Sequence, residues 1–387
     1  MLTREQVISV YQQVLGRAPS EEEIESSFAS LSTLDEMLRI ALDSEEYAAR
    51  LRQRGAEAAR RRATVNVFHP DLAEWSLPPG TRSEDGVAIV GREGWLFLCG
   101  GTNANLGQYV GAVEMEAGWL DEWRGVLARR ETELEELGLP SSFLVVPDKL
   151  AVYEGFYPEE LIRQGPRPVE RLLAEADLEI IYPLAELQAA AEDGEVYMRT
   201  DTHLTFRGNE VLFGSVLSQL GIERSPDFST LPMRSYPVPG DLGVKFDPPV
   251  LGIISEPASL ADARIVDDNR DQIAAVGGHI GTRRVFRNEK APDRRTMVVF
   301  GDSFSFGAPS DQGLSWFMAQ VFRETHFVWV PFGWDRDYVK RVGAGAVLIQ
   351  GAERFVARVP HLSTEVASLA AETLRRKRPL GLEVAFD

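Results

Sequence analysis

The sequence has little of several features that mark common protein classes. Cys99 is the one cysteine in 387 residues, so no internal disulfide can form. A lone thiol between Leu98 and Gly100 is most simply a small core residue. Basic residues are also few, because 41 Lys and Arg against 59 Asp and Glu give a formal net charge of −18. Phosphate binding requires a basic surface, so this charge disfavours nucleic acid as a partner.

Long apolar runs are absent as well. No run approaches the roughly 18 apolar residues that a membrane span requires, so we expect no membrane span. The first residues, Met-Leu-Thr-Arg-Glu, show neither a basic region nor an apolar region of a secretory signal. As written, the sequence therefore predicts a soluble, cytoplasmic protein.

The length predicts more than one domain, because single cores usually stop growing at about 250–300 residues. Residues 1–62 are predicted to form a small all-α helical module, 63–80 a linker rich in Pro and Gly, and 81–387 the large domain. The helical prediction depends on three capping boxes, in which a hydroxyl residue is followed three positions later by Glu or Gln. They are Thr3 with Gln6, Ser20 with Glu23, and Thr33 with Glu36, and Ser44 is a candidate fourth cap.

Within the large domain, helical and strand-like runs alternate, which favours an α/β fold with a mostly parallel sheet covered on both faces. The best parallel-strand candidates are Met297–Phe300, Phe327–Val330 and Ala346–Gln350. A hairpin is predicted over 87–98, and a long amphipathic helix over Glu114–Leu137. Prolines interrupt residues 225–295, so we expect an irregular insertion there, with short strands possible around Arg284–Phe286.

The apolar run Met297–Phe300 ends at Gly301 and is followed by Asp302 and Ser303. Open α/β sheets place their chemistry at the carboxyl ends of the strands, so Ser303 is expected at that edge. A serine there is inert without a neighbouring base. The question is therefore where the chain has an Asp and a His together, and one motif about a hundred residues upstream contains both.

Asp201-Thr-His203 is the best candidate for that base. If the segment is extended, residues i and i+2 point to the same side, which places a carboxylate and an imidazole in one pocket. His203 would take the proton from Ser303, and Asp201 would orient the imidazole. The amide of Ser303 is the first predicted oxyanion donor, and Gly333 and Gln350, which follow or end neighbouring strands, are candidates for the second.

Both motifs also occur without a catalytic role. Asp-x-His alone is common, and Gly-Asp-Ser is a frequent turn. The α/β-hydrolase elbow needs Gly-x-Ser-x-Gly followed by Asp and His, but here Ser305 is the fifth residue and the pair comes first. A metallophosphoesterase needs further ligands, and Gly208-Asn-Glu210 supplies no His, so no metal is predicted. Gly91–Gly101 lacks Gly-x-Gly-x-x-Gly in the required context, so no cofactor is predicted.

Five segments together resemble the SGNH-hydrolase-like domain of the alginate O-acetyltransferase family. They are Gly91-Arg-Glu-Gly-Trp-Leu-Phe97, Pro147-Asp-Lys149, Asp201-Thr-His203, Gly301-Asp-Ser-Phe-Ser305 and Gly351-Ala-Glu-Arg-Phe355. The resemblance spans about residues 87–356. Residues 1–62, through Tyr11–Ser20 and Asp43–Tyr47, resemble a small helical domain of unknown function found in bacterial proteins of surface and polysaccharide biology.

The resemblance implies a three-layer α/β/α fold, with Ser303 as nucleophile and His203 and Asp201 as its partners. It also implies acetyl transfer to polysaccharide hydroxyls, so the expected partners are a glycan acceptor and an acyl donor or acyl-donating protein. The sequence departs from the family at Leu204, where Trp is common after the His. It also departs in showing no export signal, although most such enzymes are exported.

Several residues near the predicted strand ends are candidates for substrate binding, namely Lys149, Trp334 and Arg354. For Glu353 and Arg354, an ion pair that braces the loop is the favoured reading. Trp334, Trp316 and Trp95 have the ring surface to stack on a sugar, although core packing is the commoner role.

Two hypotheses of different classes follow. The leading one is a serine-dependent O-acetyltransferase or acetylesterase that acts on a glycan through an acyl-serine. The alternative is a catalytically silent SGNH-like protein that binds carbohydrate or assists assembly, docked by residues 1–62. The sequence leaves open the acyl donor, the acceptor and the oligomeric state.

Overall fold

The computed structural model describes residues 77–360, except 176–179, 224–225, 260–261, 276–277 and 308–310. Before residue 77 it describes 18–30, 66–67 and positions 4, 7, 8, 11 and 37. The chain divides into two compact units, one of residues 1–65, 271–278 and 370–387, and one of residues 66–270 and 279–369. The predicted boundary at 62 lies outside the described residues, and the boundaries at 62 and 80 stay predictions.

One helix of the N-terminal region, Glu21–Ser30, is described. It begins with the predicted capping box, since the Ser20 amide donates to Glu23 Oε2 at 2.7 Å and the Glu23 amide donates to Ser20 Oγ at 3.2 Å. This reciprocal pairing satisfies two amides that have no partner inside the helix. The other predicted caps, at Thr3, Thr33 and Ser44, lie outside the described residues.

The strands are numbered along the chain. They are β1 (Asn66–Val67), β2 (Ala88–Val90), β3 (Leu96–Leu98), β4 (Ser141–Val146), β5 (Ile180–Ile181), β6 (Met233–Val238), β7 (Val250–Pro257), β8 (Arg264–Asp268), β9 (Arg283–Arg287), β10 (Asp293–Gly301), β11 (Phe322–Trp329) and β12 (Ala344–Ala352). β2 and β3 form the predicted antiparallel hairpin.

The main sheet has the strand order β5-β4-β12-β10-β11-β9-β8. Neighbours from β5 to β11 are parallel, and β9 and β8 add an antiparallel edge. The three best strand candidates from the sequence are β10, β11 and β12, which lie side by side at the centre. The prediction of a mostly parallel α/β sheet is confirmed.

The helices have the following bounds: Asn105–Tyr109, Trp119–Leu137, Lys149–Val152, Pro168–Glu175, Leu184–Asp193, Phe206–Gln219, Gly240–Gly243, Arg270–Ala275, Ser303–Phe306, Leu314–Val321 and Arg336–Arg341. Single 3-10 turns cover Arg92–Gly94, Glu154–Phe156 and Glu353–Phe355. The long helix begins five residues after its predicted start, because Gly118 has a left-handed backbone. Within the described residues, no helix has both the length and the apolarity to cross a membrane.

The core covers both faces of the main sheet. Met297 and Val299 of β10 pack in one apolar cluster, which includes the fully buried helix Leu314–Val321. The alternating residues Val298 and Phe300 pack in a second cluster on the other face. Because side chains alternate along a strand, a central strand buried on both faces reads as a continuous apolar run. This arrangement gives the predicted three layers.

The insertion at 225–295 is more regular than predicted. β6 and β7 form an antiparallel hairpin, and β1 adds to β7 in parallel, so the three make a small sheet of order β1-β7-β6. Pro237 lies within β6, which is an edge strand, where a missing amide donor is tolerated. The sequence reading underestimated this sheet because it treated the prolines as strand breakers. The short strand expected around Arg284–Phe286 is β9.

Candidate active site

The turn after β10 presents Ser303 as the first residue of the helix Ser303–Phe306. Asp302 caps this helix by accepting a hydrogen bond from the Phe304 amide at 3.0 Å. Ser303 is half-buried, whereas Asp302 and Ser305 on either side are buried. A Cβ at Gly301 would lie 2.5 Å from Gln350 Oε1, so the turn requires glycine at this position.

Gln350 of β12 fixes the turn from the neighbouring strand. Its Oε1 accepts from the Asp302 amide at 3.0 Å and from Ser305 Oγ at 2.6 Å, and its Nε2 donates to Asp302 Oδ1 at 2.9 Å. Asp302 Oδ2 accepts from the Ala352 amide at 2.7 Å. Asp302 and Ser305 therefore shape the turn and leave Ser303 as the residue that reaches the surface of the site.

These bonds argue against the predicted oxyanion role of Gln350, because it is fully buried and its Nε2 already donates to Asp302. They argue against Gly333 for a similar reason, since its amide donates to the Val330 carbonyl at 2.9 Å. The Ser303 amide, in contrast, makes no hydrogen bond within the described part of the chain. It is the better candidate donor.

Asp201 and His203 come together as predicted, but through a different backbone. The His203 amide donates to Asp201 Oδ1 at 2.8 Å, and His203 Nδ1 lies 2.5 Å from the same oxygen. The first of these bonds is an Asx turn, in which a carboxylate accepts from the amide two residues later. The segment is therefore a tight turn, and the pairing of carboxylate and imidazole follows from it. Both side chains are buried.

Asp241, in the insertion, holds this turn from outside. Its amide donates to Asp201 Oδ2 at 2.8 Å, and its carboxylate accepts from both the amide (2.7 Å) and the hydroxyl of Thr202. Gly240 permits the close approach, because a Cβ there would lie 2.4 Å from the Thr200 carbonyl oxygen and its φ is +62°. Sequence reasoning missed this contact, although Pro239-Gly240-Asp241 is a turn signal.

Lys149 holds the chain leading into the turn. Its Nζ donates to the Met198 carbonyl at 2.9 Å and to the Arg199 carbonyl at 3.1 Å. Burial lowers the pKa of Lys149 to about 7, and the negative charges of Asp201 and Asp241 oppose that shift. Because the ammonium is buried against backbone carbonyls, the structure argues against the predicted substrate contact and indicates a positioning role.

The pKa values of Asp201 and His203 are shifted in opposite directions, which favours a carboxylate beside an imidazolium. Burial raises the pKa of the Asp201 carboxyl, but the charge and hydrogen bonds of His203 outweigh that effect, so the pKa lies below its usual value. Burial lowers the pKa of His203, but the Asp201 carboxylate outweighs it, so the pKa lies above its usual value. A carboxylate that stabilises an imidazolium in this way is what a general base requires as it accepts a proton.

A cavity of about 320 Å³ joins the two halves of the site, and Ser303 and His203 both line it. His203 Nε2 has no hydrogen-bond partner among the described residues, although the atom is buried. With Nδ1 held by Asp201, Nε2 is the nitrogen that remains to exchange a proton. Catalytic hydrogen bonds are often long without substrate, so the unbonded Nε2 is compatible with a base that acts on Ser303.

Glu353 and Arg354 brace the loop after β12, as favoured from the sequence, but not through each other. Arg354 Nη1 donates to Asp148 Oδ1 at 2.8 Å. Glu353 accepts from Arg167 Nη1 at 3.0 Å and from the Tyr182 hydroxyl at 2.9 Å. The buried ion pair of Arg354 argues against the predicted substrate contact, since leaving Asp148 would expose an uncompensated buried charge.

The three tryptophans proposed for sugar stacking are core residues. Trp334 is 2% exposed, and its Nε1 donates to Glu133 Oε2 at 2.5 Å in the cluster beneath β10. Trp95 and Trp316 are buried in the cluster on the other face. The structure therefore argues against the predicted substrate contact of Trp334 and supports the commoner packing role.

Ligand atoms of Asp201, His203 and Asp241 lie within 4.8 Å of one another, a spacing that is also typical of metal ligands. The hydrogen bonds given above account for all four carboxylate oxygens of the two aspartates, with amide, hydroxyl or imidazole donors. The proximity of these groups is therefore explained by the turn and its support.

Comparisons with known proteins agree with this architecture. The family model described as "SGNH hydrolase-like domain, acetyltransferase AlgX" matches residues 88–310, more than half of the chain. A probable alginate O-acetylase, AlgJ of Pseudomonas syringae pv. tomato (strain ATCC BAA-871 / DC3000), is 28% identical over 187 residues. That match covers 44% of this chain and 45% of the relative, so the chain spans less than half the length of the relative.

Two solved structures are also similar. The O-acetyltransferase domain of Pseudomonas putida AlgJ is 18% identical, with 78% of this chain and 100% of that chain covered and a TM-score of 0.46. Bacillus cereus PatB1 is 15% identical, with 65% of this chain and 93% of that chain covered and a TM-score of 0.45.

The family match begins in β2, includes the turn of Asp201 and His203, and extends past the helix Ser303–Phe306. The match thus contains four of the five segments that carry the sequence resemblance and ends before the fifth, Gly351–Phe355. The chain belongs to the family of the SGNH hydrolase-like domain of acetyltransferase AlgX.

Proposed function

We propose that the chain is a serine-dependent O-acetyltransferase, which passes an acetyl group to a polysaccharide hydroxyl through an acyl-serine at Ser303. The observation that carries the proposal is the pairing of His203 with Asp201 at 2.5 Å in a cavity that Ser303 also lines. Family membership supports the class of reaction. The relative named as a probable alginate O-acetylase supports a polysaccharide as acceptor.

The first half of the reaction is acylation. Ser303 Oγ attacks the carbonyl carbon of an acetyl ester while His203 Nε2 takes the hydroxyl proton. The oxyanion accepts a hydrogen bond from the Ser303 amide, and Asp201 stabilises the imidazolium. The imidazolium then protonates the leaving oxygen of the donor, and the acetyl group stays on Ser303 as an ester.

The second half reverses these roles. A hydroxyl of the acceptor attacks the acetyl-serine, and His203 Nε2 takes its proton. Collapse of the oxyanion breaks the bond to Ser303 Oγ, which recovers the proton from His203. Transfer and hydrolysis differ only in whether a sugar hydroxyl or water attacks, so an acceptor must occupy the cavity for transfer to prevail.

Leu204 is the observation that favours the alternative, a silent carbohydrate-binding protein. It stands where the family commonly has Trp, it is 4% exposed, and it lines the cavity without an aromatic face. Glycan binding that survives loss of Ser303 and His203, together with the absence of any acetyl transfer, would support that alternative.

The direct test uses 4-nitrophenyl acetate as donor and mass spectrometry to locate the acetyl group. We expect a burst of 4-nitrophenol and acetylation of the peptide that contains Ser303. Ser303→Ala should abolish the acetyl-enzyme and lower turnover by about 10³-fold or more. Ser218→Ala, an exposed serine on the helix Phe206–Gln219, is the matched control. Equal rates for Ser303→Ala and the parent protein would refute the assignment.

A further inference from the structure

Three buried side chains that line the cavity each have one polar atom without a hydrogen-bond partner among the described residues. The atoms are His203 Nε2, Asn209 Oδ1 and Glu256 Oε2. Asn209 and Glu256 are 7% and 4% exposed, respectively. A buried polar atom without a hydrogen-bond partner destabilises the fold, so two such atoms beside the candidate base indicate a site that a ligand completes.

The other polar atoms of Asn209 and Glu256 show what kind of ligand group fits. Asn209 Nδ2 donates to the Thr205 carbonyl at 3.1 Å, which identifies the remaining atom as the amide oxygen. Glu256 Oε1 accepts from Arg234 Nη2 and from the Tyr236 hydroxyl, both at 2.7 Å, so Oε2 is the remaining acceptor. Both unsatisfied atoms are acceptors and need a donor such as a hydroxyl.

The two residues belong to different walls of the cavity. Asn209 lies in the first turns of the helix Phe206–Gln219, and Glu256 lies in β7 of the insertion. Met233 and Ile253 line the same cavity, and both are more than 40% exposed. They offer an apolar surface to the C–H face of a sugar ring, while Asn209 and Glu256 offer acceptors to its hydroxyls. A volume of about 320 Å³ is at the lower end for small-ligand sites.

The charges around the cavity restrict the ligand further. Its described lining includes three carboxylates, those of Glu195, Glu210 and Glu256, and the basic side chain of Arg207. Glu195 is paired with Arg199 at 2.6 Å and Glu256 with Arg234 at 2.7 Å, which leaves Glu210 as the lining carboxylate without an ion pair among the described residues. Arg207 is itself paired with Asp193 at 3.3 Å. A ligand carboxylate placed beside Glu210 would meet an uncompensated like charge, which selects against it.

We propose that this cavity is the acceptor site, in which Asn209 and Glu256 accept hydrogen bonds from the hydroxyls of a neutral sugar residue, and that the carboxylate of Glu210 disfavours uronic acids. The inference rests on the proposed function for the identity of the acceptor. It adds the class of sugar and the residues that select it. It also assigns a role to the insertion, which supplies Glu256.

The test compares cellopentaose, a neutral glucose oligomer, with a pentamer of galacturonic acid as acceptors, with 4-nitrophenyl acetate as donor. Rates are normalised to the burst amplitude, which counts the enzyme that can be acylated. We expect transfer to cellopentaose to exceed transfer to the uronate. Asn209→Leu and Glu256→Gln should each raise the KM for cellopentaose about tenfold, with a smaller change in kcat, since each removes or alters one acceptor of a hydrogen bond.

Two further variants distinguish the effect of a carboxylate in the cavity from that of the same change elsewhere on the surface. Glu210→Gln removes one cavity carboxylate and should increase the use of the uronate pentamer relative to cellopentaose. Glu186→Gln, an exposed position on the helix Leu184–Asp193, makes the same chemical change away from the cavity and should alter neither acceptor. Preference of the parent protein for the uronate, or an unchanged KM in both Asn209→Leu and Glu256→Gln, would overturn the inference.

A binding measurement distinguishes failure of this inference from failure of the proposed function. Calorimetric titration of cellopentaose into Ser303→Ala reports the acceptor site without any chemistry. Loss of that binding on adding Asn209→Leu supports the inference even if the parent protein shows no burst, in which case the proposed function alone fails. A normal burst with no effect of Asn209→Leu on binding refutes the inference and leaves the proposed function intact.

Discussion

The two halves of the site are supported in contrasting ways. The turn of Ser303 is fixed from within the main sheet, because Asp302 and Ser305 bond to Gln350 and Asp302 also bonds to the Ala352 amide, both in β12. The turn of Asp201 and His203 is fixed from outside the sheet, by Asp241, which lies forty positions later in the insertion.

This difference indicates which half of the site tolerates substitution. The support of Ser303 consists of buried bonds between β12 and the turn that follows β10, which tolerate little change. The support of His203 comes from a segment that also carries one wall of the cavity, through β6 and β7. Changes in the insertion can therefore alter the ligand and the position of the base together, while the nucleophile turn is left as it is.

The largest expected loss of activity comes from a change in the pair of Asp201 and His203. Asp201→Asn keeps the shape of the side chain but replaces the acceptor of the His203 proton with a group that favours the wrong tautomer. We expect kcat for acetyl transfer to fall about 10⁴-fold, as the corresponding change does in a serine-protease triad. The check is turnover with 4-nitrophenyl acetate, with circular dichroism to show that the variant is folded. A loss of less than tenfold would contradict the role given to Asp201.

The next largest effect is on the free energy of unfolding, and it tests the bonds that hold the turn of Ser303. Gln350→Ala deprives the Asp302 carboxylate of a donor and the Asp302 amide and Ser305 hydroxyl of an acceptor, all in full burial. We expect the free energy of unfolding to fall by about 3 kcal/mol, because buried groups left unsatisfied cost about 1–3 kcal/mol each and some relaxation follows. Urea denaturation measures this.

Gln164→Ala is the control for that measurement, because Gln164 is exposed. It should change the free energy of unfolding by no more than about 0.5 kcal/mol. If both substitutions had the same small effect, the bonds of Gln350 would not be what holds the nucleophile turn.

A smaller loss of activity is expected when Asp241, which holds the turn of Asp201 and His203, is substituted. Asp241→Ala removes the acceptors of the Thr202 amide and hydroxyl but keeps the backbone bond from residue 241 to Asp201. We expect kcat to fall about tenfold, which corresponds to about 1.4 kcal/mol of lost positioning. Asp241→Asn keeps one acceptor and should lose less. A change confined to the acceptor KM would instead show that the insertion acts on the ligand alone.

The same contrast explains what the sequence could predict. Met297–Phe300, Phe327–Val330 and Ala346–Gln350 were recognisable because a strand buried on both faces is apolar at every position. Asp201 and His203 were recognisable by chemistry, but their geometry was mistaken for an extended segment because the Asx turn depends on the local backbone.

The supporting residues were harder to predict, because they act through contacts distant in sequence. Nothing in the sequence near Gln350 shows that its amide bonds to residues 302 and 305, so its polar side chain at a strand end was read as an oxyanion donor. Lys149 and Arg354 were named as candidate substrate contacts because they follow predicted strand ends, although an ion pair that braces the loop was the favoured reading for Arg354. Their partners, the Met198 and Arg199 carbonyls and Asp148, became visible only in the fold.

The smallest expected effect is a dependence on pH that has opposite signs for activity and for stability. The negative charges of Asp201 and Asp241 outweigh burial and Arg354, so the pKa of His203 in the folded protein lies above its ordinary value of 6.5. The imidazolium thus stabilises the fold fully below about pH 6.5, and this contribution is lost as the pH rises through the folded pKa. Activity needs unprotonated Nε2, so kcat/KM should rise over the same interval.

Lys149 titrates nearby with the opposite sign for stability, so the two must be separated by substitution. Its folded pKa of about 7 lies below the ordinary value of 10.5, which makes stability rise with pH between these values. The difference in unfolding free energy between the parent protein and His203→Gln, measured by urea denaturation from pH 5.5 to 9, isolates the His203 contribution because Lys149 is present in both. If that difference grew with pH while kcat/KM also grew, His203 would not be the group whose deprotonation activates Ser303, and the base half of the site would have to be reassigned.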